Sequence, residues 1–256
     1  MRLKYLLRSG SLQFARDHQR AVAPGTLASY VWNGHPVWYR PGSSDTELIY
    51  KILLKRGRKG EYAIDPVVRA ALGAPRTVLD IGANIGVSTL FLAGLFPEAR
   101  VFAFEPVPDN CALLARNTSH LAQVQALPVA LGERDGEIRI FHSDNGANFG
   151  GFSRFEAGSD PSRTVAVPMR DARRQFAELS IAGADVVKID VEGSEWEVLA
   201  SLGPDFLRQT KFIMGELHGR RDFELLGLLS EHFRIAVKKK LEDRCFMFQA
   251  LHRGLV

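Results

Sequence analysis

A chain of 256 residues, 46% hydrophobic and 24% charged, has an ordinary globular composition and enough length for a substantial core. No apolar run reaches the roughly 20 residues of a membrane helix, and Arg2, Lys4 and Arg8 interrupt the leucine-bearing start, so neither a transmembrane segment nor a secretory signal is expected. Cys111 and Cys245 lie far apart without metal-type spacing, so neither a disulfide framework nor a thiolate zinc site is suggested, and a reducing cytoplasm fits best.

Residues 1–60 read as a small N-terminal appendage or lid, and 61–256 as one main α/β domain. The appendage begins with a basic segment that could form a short amphipathic helix on a surface, then passes Pro24-Gly25 to strand-like pieces at Tyr30 to Trp32 and Pro36 to Arg40. Thr46 to Leu54 has helical spacing with Asp45 as its N-cap, and Asp65-Pro66 opens a helix through Leu72.

The main domain is organised around Thr77 to Gly86, an apolar β-branched run that ends in Asp80 and turns through Gly82-Ala83-Asn84-Ile85-Gly86 into a helix from Val87 to Phe96. A strand, tight turn and helix start of this kind aims free N–H groups at a small polar or anionic ligand, and its glycines allow close backbone approach. A second strand, Arg100 to Phe104, ends at Glu105 and leads to a helix from Asp109 to His120; a third runs from Val124 to Leu131, and a fourth piece from Glu137 to His142. Asp144 to Asp160 reads as a long loop and a candidate substrate lid. Val165 to Val167 is a short strand, Asp171 to Leu179 a helix, Ala184 to Asp190 a strongly apolar strand, and Ser194 to Leu202 a helix. Phe212 to Glu216 forms the next strand, Phe223 to Phe233 a helix, and Arg234 to Val237 with Cys245 to Ala250 a terminal antiparallel pair. Alternation of strands and helices predicts parallel β-α-β units.

Ligands of open α/β sheets bind beyond the carboxyl ends of the strands. Asp80, Glu105, Asp190 and Glu216 all occupy such ends, so the reading places four carboxylates around one crevice. Glu105 lies 25 residues beyond Asp80, near the about 20-residue offset at which an acid accepts from a ribose diol. The turn lacks both the Gly-x-Gly-x-x-Gly fingerprint and a Gly-Lys-Ser/Thr, which places nicotinamide and triphosphate ligands second.

With Asp-Ile-Gly-Ala-Asn-Ile-Gly at 80–86, Phe-Glu-Pro-Val-Pro-Asp-Asn at 104–110, Lys-Ile-Asp-Val-Glu-Gly-Ser-Glu at 188–195 and Glu216-Leu217-His218, the chain resembles the FkbM-type S-adenosylmethionine-dependent methyltransferases over residues 40 to 235. The resemblance implies a doubly wound, Rossmann-like, seven-stranded mostly parallel sheet with an antiparallel terminal hairpin, the class I methyltransferase fold, and methyl transfer usually to an oxygen of a small metabolite. It places the cofactor against Asp80, Gly82, Asn84 and Gly86, its ribose on Glu105 and its adenine beside Val129 and Ala130. Arg170 stands where relatives carry an apolar residue before the acid at Asp171.

Because a sulfonium methyl is already electrophilic, the protein must align the acceptor and take a proton from its hydroxyl. Asp190 and His218 are the candidate bases, with Glu216 beside them, and His218 is expected to titrate near neutral pH. The three could also ligate a divalent ion, but no metal is assigned. For Glu192, a first-turn helix role stands beside catalysis. The expected function is O-methylation of a small-molecule or glycan acceptor. Rival readings are an RNA or protein methyltransferase gripped through Lys55 to Lys59 and Lys238 to Lys240, and a noncatalytic cofactor-binding partner subunit.

Overall fold

In the computed structural model the described residues are 3–23, 25–55, 57, 60–142, 152–153, 164–242 and 245–255. Two short helices open the chain, α1 (Leu3–Ser9) and α2 (Leu12–Asp17), the second capped by the Ser11 hydroxyl, which accepts from the Phe14 N–H. Asn33 and Gly34 both take positive φ, the turn geometry that matches strand twist, and join β1 (Ala28–Trp32) to β2 (His35–Tyr39) as an antiparallel hairpin. α3 (Asp45–Leu48) continues into a π-helical turn, Ile49–Leu54. Here the expected cap shifts by one residue: Ser44 holds the N-cap position, because the Asp45 carboxylate is taken by the Arg40 guanidinium at 2.8 and 2.9 Å. α4 (Pro66–Leu72) starts as predicted, with the Asp65 carboxylate accepting from the Val67 N–H.

The Rossmann-like run follows: β3 (Thr77–Ile81), α5 (Val87–Leu95), β4 (Arg100–Phe104), α6 (Pro108–Thr118) and β5 (Val124–Leu127). The strand predicted over Val124 to Leu131 is broken at Pro128, which has no N–H for the ladder. Its second half, β6 (Ala130–Gly132), leaves for another sheet built with β7 (Gly136–His142), β8 (Phe152–Ser153) and β9 (Thr164–Asp171), in the order β6-β9-β7-β8. β9 is longer than the three residues predicted, and the candidate lid at 144–160 lies outside the described residues apart from 152–153. Asp171 caps α7 (Ala172–Glu178) by accepting from the Arg174 N–H, while Arg170 turns outward to Glu178 at 2.7 Å, which is how a cation is tolerated at that position.

β10 (Val186–Ile189) is followed by α8 (Glu195–Arg208), whose first segment ends at Leu202 as predicted: Gly203 leaves helical geometry at φ 79°, and a further helical segment resumes at Pro204. β11 (Phe212–Leu217), α9 (Asp222–Ser230), β12 (Phe233–Glu242) and β13 (Cys245–His252) complete the chain, and Phe233 opens β12 instead of closing the helix before it. The main sheet has the order β12-β13-β11-β10-β3-β4-β5, with only β13 antiparallel to its neighbours. This is the doubly wound, seven-stranded sheet with a reversed terminal hairpin that the family resemblance implies. Successive β3 residues feed opposite faces: Val78 joins a core with Tyr5, Phe14, Tyr39, Ile49 and Tyr62, whereas Leu79 and Ile81 join one with Phe104, Val187 and Phe206. The N-terminal elements therefore share a core with one face of the sheet. No helix among the described residues is long and apolar enough to cross a membrane.

Candidate active site

The strand order reverses at β3, whose neighbours are β4 and β10, and a cleft opens beyond the carboxyl ends of these strands. Its walls include Gly82, Asn84, Glu105 and Asn110 from the β3 and β4 exits, and Lys188, Asp190 and Glu192 from the β10 exit. Val129, Ala130, Ile138 and Met169 make an apolar end, and Leu48, Ile52 and Tyr62 from the N-terminal side close another wall. About 1020 Å³ of space, part of it open to solvent, lies between these residues.

The turn after β3 is held from beneath. Asp80 is fully buried and accepts from the Ser88 and Thr89 hydroxyls at 2.7 and 2.6 Å, tying the strand end to the first turn of α5. Gly82 has φ 79°, and a Cβ there would sit 1.8 Å from the Asp190 carbonyl oxygen. Gly86, at φ 86°, would put a Cβ 2.8 Å from Leu114 Cδ1. Both glycines thus make room for neighbouring chain, β10's exit in one case and α6 in the other. Asn84 is also left-handed, at φ 50°, and its side-chain oxygen is buried with no hydrogen-bond partner among the described residues.

Glu105 is buried in the cleft wall, where Oε2 accepts from the Asn84 N–H at 2.8 Å and Oε1 from the Val107 N–H at 2.9 Å. Burial pushes its carboxyl up to about 7, against the lowering effect of those two N–H groups, the Asn110 amide and Lys188.

At the β10 exit a buried cation binds the strand ends together. Lys188 Nζ donates to the Gly82 carbonyl at 2.6 Å and lies 3.2 Å from Asp80 Oδ1 and 3.9 Å from Asp190 Oδ2. Tyr62 donates its hydroxyl to Asp190 Oδ2 at 3.0 Å and lies 3.5 Å from Glu216 Oε1; burial, then the Asp190 and Glu216 charges, push this phenol well above its usual range. His218 is enclosed by carboxylates. Its Nδ1 is 3.0 Å from Glu195, and its Nε2 is 3.6 Å from Asp190, 3.6 Å from Glu192 and 3.7 Å from Glu216. Burial disfavours the imidazolium, but Glu195 and the acids around it outweigh that and push His218 up to about 10. Glu216 moves up to about 8, through burial first and then Asp190 and Glu61, although the Cys245 thiol donates to it at 3.0 Å.

Of the residues singled out from sequence, Gly82, Asn84, Glu105, Ala130 and Asp190 line the cleft. Asp80, Gly86, Glu216 and His218 stand behind that lining, so the four strand-end acids do not share one rim. Asp80 is consumed by Lys188 and two hydroxyls, and Glu216 sits behind Tyr62. The expectation that His218 titrates near neutrality is overturned by the acids that enclose it, which keep it an imidazolium. The sequence offers Tyr62 no role beyond a lid or substrate contact, and Lys188, Asn110 and Glu195 none beyond their place in the motifs. Lys188 carried a readable signal: a lone cation inside the apolar run Ala184 to Asp190, on a strand whose four residues are all buried, requires a buried acid as partner. Glu195 is buried and accepts from the Val191 N–H at 2.9 Å, so it shapes the turn that presents Asp190 as well as facing His218.

Residues 80–244, more than half of the chain, match the Methyltransferase FkbM domain. The chain belongs to the FkbM methyltransferase family. It is 31% identical over 178 residues to the hexuronic acid methyltransferase AglP of Haloferax volcanii, covering 69% of this chain and 70% of that protein. It is 26% identical over 238 residues to the AMB antimetabolite synthetase AmbE of Pseudomonas aeruginosa, but those cover 77% of this chain and only 11% of AmbE. Identity to the 31-O-demethyl-FK506 methyltransferase FkbM of Streptomyces tacrolimicus is 28% over 171 residues, 55% of this chain and 65% of that protein. The domain is that of an S-adenosylmethionine-dependent methyltransferase.

The FkbM cleft suits that cofactor. The residues present fit it: the orphaned Asn84 oxygen at the glycine turn could accept from an ammonium group, the Glu105 carboxylate on the cleft wall could accept from a diol, and Val129, Ala130, Ile138 and Met169 would give a purine apolar contact.

Proposed function

We propose that the protein transfers a methyl group to a hydroxyl oxygen of a small metabolite or glycan, with Glu105, Asn84 and the Gly82 turn holding S-adenosylmethionine and Asp190 receiving the acceptor's proton. The observation that carries this reading is the convergence of the glycine turn, Glu105 and Asp190 on one cleft. When bound, S-adenosylmethionine supplies an electrophilic methyl on sulfur. What this chain must add is alignment and a proton acceptor.

Asp190 suits the second task. It is a cleft-lining carboxylate whose Oδ2 is fixed by the Tyr62 hydroxyl, which leaves Oδ1 toward the imidazolium. His218 and Lys188 are cations 3.6 and 3.9 Å from that carboxylate, so His218 positions the base rather than acting as one. Glu216 steadies Tyr62 from behind. The acids also argue about the substrate: Asp190 and Glu192 line the cleft and Glu195 stands close behind, an arrangement that disfavours a polyanion such as RNA. The side chains of Lys238 to Lys240 and most of the Lys55 to Lys59 cluster lie outside the described residues.

Incubation with methyl-labelled S-adenosylmethionine and separate pools of hydroxylated metabolites, oligosaccharides, RNA and protein tests the proposal. Label recovered in an alkali-stable methyl ether of a metabolite or oligosaccharide is the expected result. Label confined to RNA or protein, or cofactor binding with no transfer to any pool, overturns it.

A further inference from the structure

Arg40 lies between β2 and α3, well before the matched domain, yet its guanidinium reaches Asn110, a residue of the cleft wall. Its Nε and Nη2 grip the two oxygens of the fully buried Asp45 at 2.8 and 2.9 Å, and its backbone N–H donates to the same carboxylate at 2.9 Å. Nη2 also donates to Asn110 Oδ1 at 2.8 Å. Asp45 thereby holds the guanidinium in one place, and the guanidinium presents a donor to Asn110.

A guanidinium has no acceptor, so the Asn110 atom facing it must be the carbonyl oxygen. That choice turns the Asn110 NH₂ toward Glu105, which accepts a hydrogen bond from it in addition to the Asn84 and Val107 N–H groups. If the amide flipped, its oxygen would face the Glu105 carboxylate, acceptor against acceptor. Asn110 is 2% exposed and lines the cleft, so water cannot readily compensate. The other ionisable groups facing Glu105 are Lys188 from β10 and the Cys111 thiol from α6.

We propose that Arg40 is a positioning residue for the cofactor site: anchored by Asp45, it fixes the Asn110 amide, and Asn110 in turn holds Glu105 in the orientation that receives the ribose hydroxyls. This rests on the reading of Glu105 as the ribose acid. It assigns the N-terminal segment a part in cofactor affinity in addition to its packing against the sheet.

Calorimetric titration with S-adenosylhomocysteine, from about pH 6 to 9, needs no acceptor and separates the two ideas. Arg40→Lys keeps a cation beside Asp45 but loses the fork that reaches Asn110; it should weaken binding about fivefold to tenfold and move the affinity's decline on acidification to higher pH. Asn110→Leu should do the same, and the double variant should be no weaker than Asn110→Leu alone. Wild-type affinity and pH profile in Arg40→Lys, or additive losses in the double variant, overturn the proposal provided that Glu105→Gln weakens binding. Unchanged binding in Glu105→Gln overturns the ribose reading itself. Should Arg40→Lys fail to fold, the Asn110→Leu profile decides: a shifted profile supports the chain of contacts and a wild-type profile refutes it.

Discussion

Replacing Lys188 by Met tests whether the cation beneath the glycine turn stabilises the fold as the geometry implies. Lys188 is 2% exposed and Asp80 is fully buried, 3.2 Å away, so the variant strands a carboxylate in the core. Removing one member of a buried pair costs about 3–5 kcal/mol, and losing the donor to the Gly82 carbonyl adds about 1 kcal/mol. Ser88 and Thr89 still donate to Asp80, which places the expected total near the lower end, about 3–4 kcal/mol. With a urea dependence of about 1–3 kcal/mol per molar, the unfolding midpoint should fall by at least about 1 M. Adding Asp80→Asn should recover much of the loss, because the stranded charge is then gone. Burial alone would lower the Lys188 pKa, but Asp80 and Asp190 outweigh it and raise it. Its stabilisation is therefore complete below about pH 10.5 and is lost as pH rises further, an alkaline decline that the variant should lack. A midpoint within about 0.3 M of wild type, or no recovery in the double variant, would refute the reasoning.

In NMR titration the His218 imidazole should remain protonated through pH 8 and titrate near 10, contributing stability that is present below about 6.5 and lost as pH rises through 10; a midpoint near 6.5 would show that the surrounding acids do not hold it. Tyr62→Phe keeps the ring but removes the 3.0 Å hydrogen bond to Asp190, so methyl transfer should slow by about tenfold or more while S-adenosylhomocysteine affinity stays within about twofold; parallel loss of both would make Tyr62 a packing residue. Gly82→Ala forces a Cβ to 1.8 Å from the Asp190 carbonyl oxygen at φ 79°, and the variant should unfold or expel its β3 turn, read as loss of the cooperative thermal transition or a large drop in its midpoint; a wild-type midpoint would contradict the close approach of these strand exits.

Much of the fold was legible because its signals are local. Asp65-Pro66 capped a helix as expected, and the apolar runs at Thr77, Arg100, Ala184 and Phe212 became the central strands. What escaped was set by partners distant in sequence. Asp45 looked like a cap, but Arg40 claims it, and the strand through Val129 divided at Pro128 because its second half finds β9 in another sheet. The site divided in the same way. Motif positions that touch the cleft, Asn84, Glu105 and Asp190, were readable from strand ends and spacing. Tyr62, which reaches Asp190 across 128 residues of chain, and the acids that enclose His218 and push it up to about 10 became apparent only through packing.

The central claim, that Glu105 serves the cofactor and Asp190 the acceptor's proton, is tested most directly by measuring S-adenosylhomocysteine binding and labelled methyl transfer side by side in Glu105→Ala and Asp190→Asn. The account predicts that Glu105→Ala loses affinity by about tenfold or more, whereas Asp190→Asn binds within about twofold of wild type and transfers methyl at least about a hundredfold more slowly. Strong binding loss in Asp190→Asn together with undiminished binding in Glu105→Ala would contradict it.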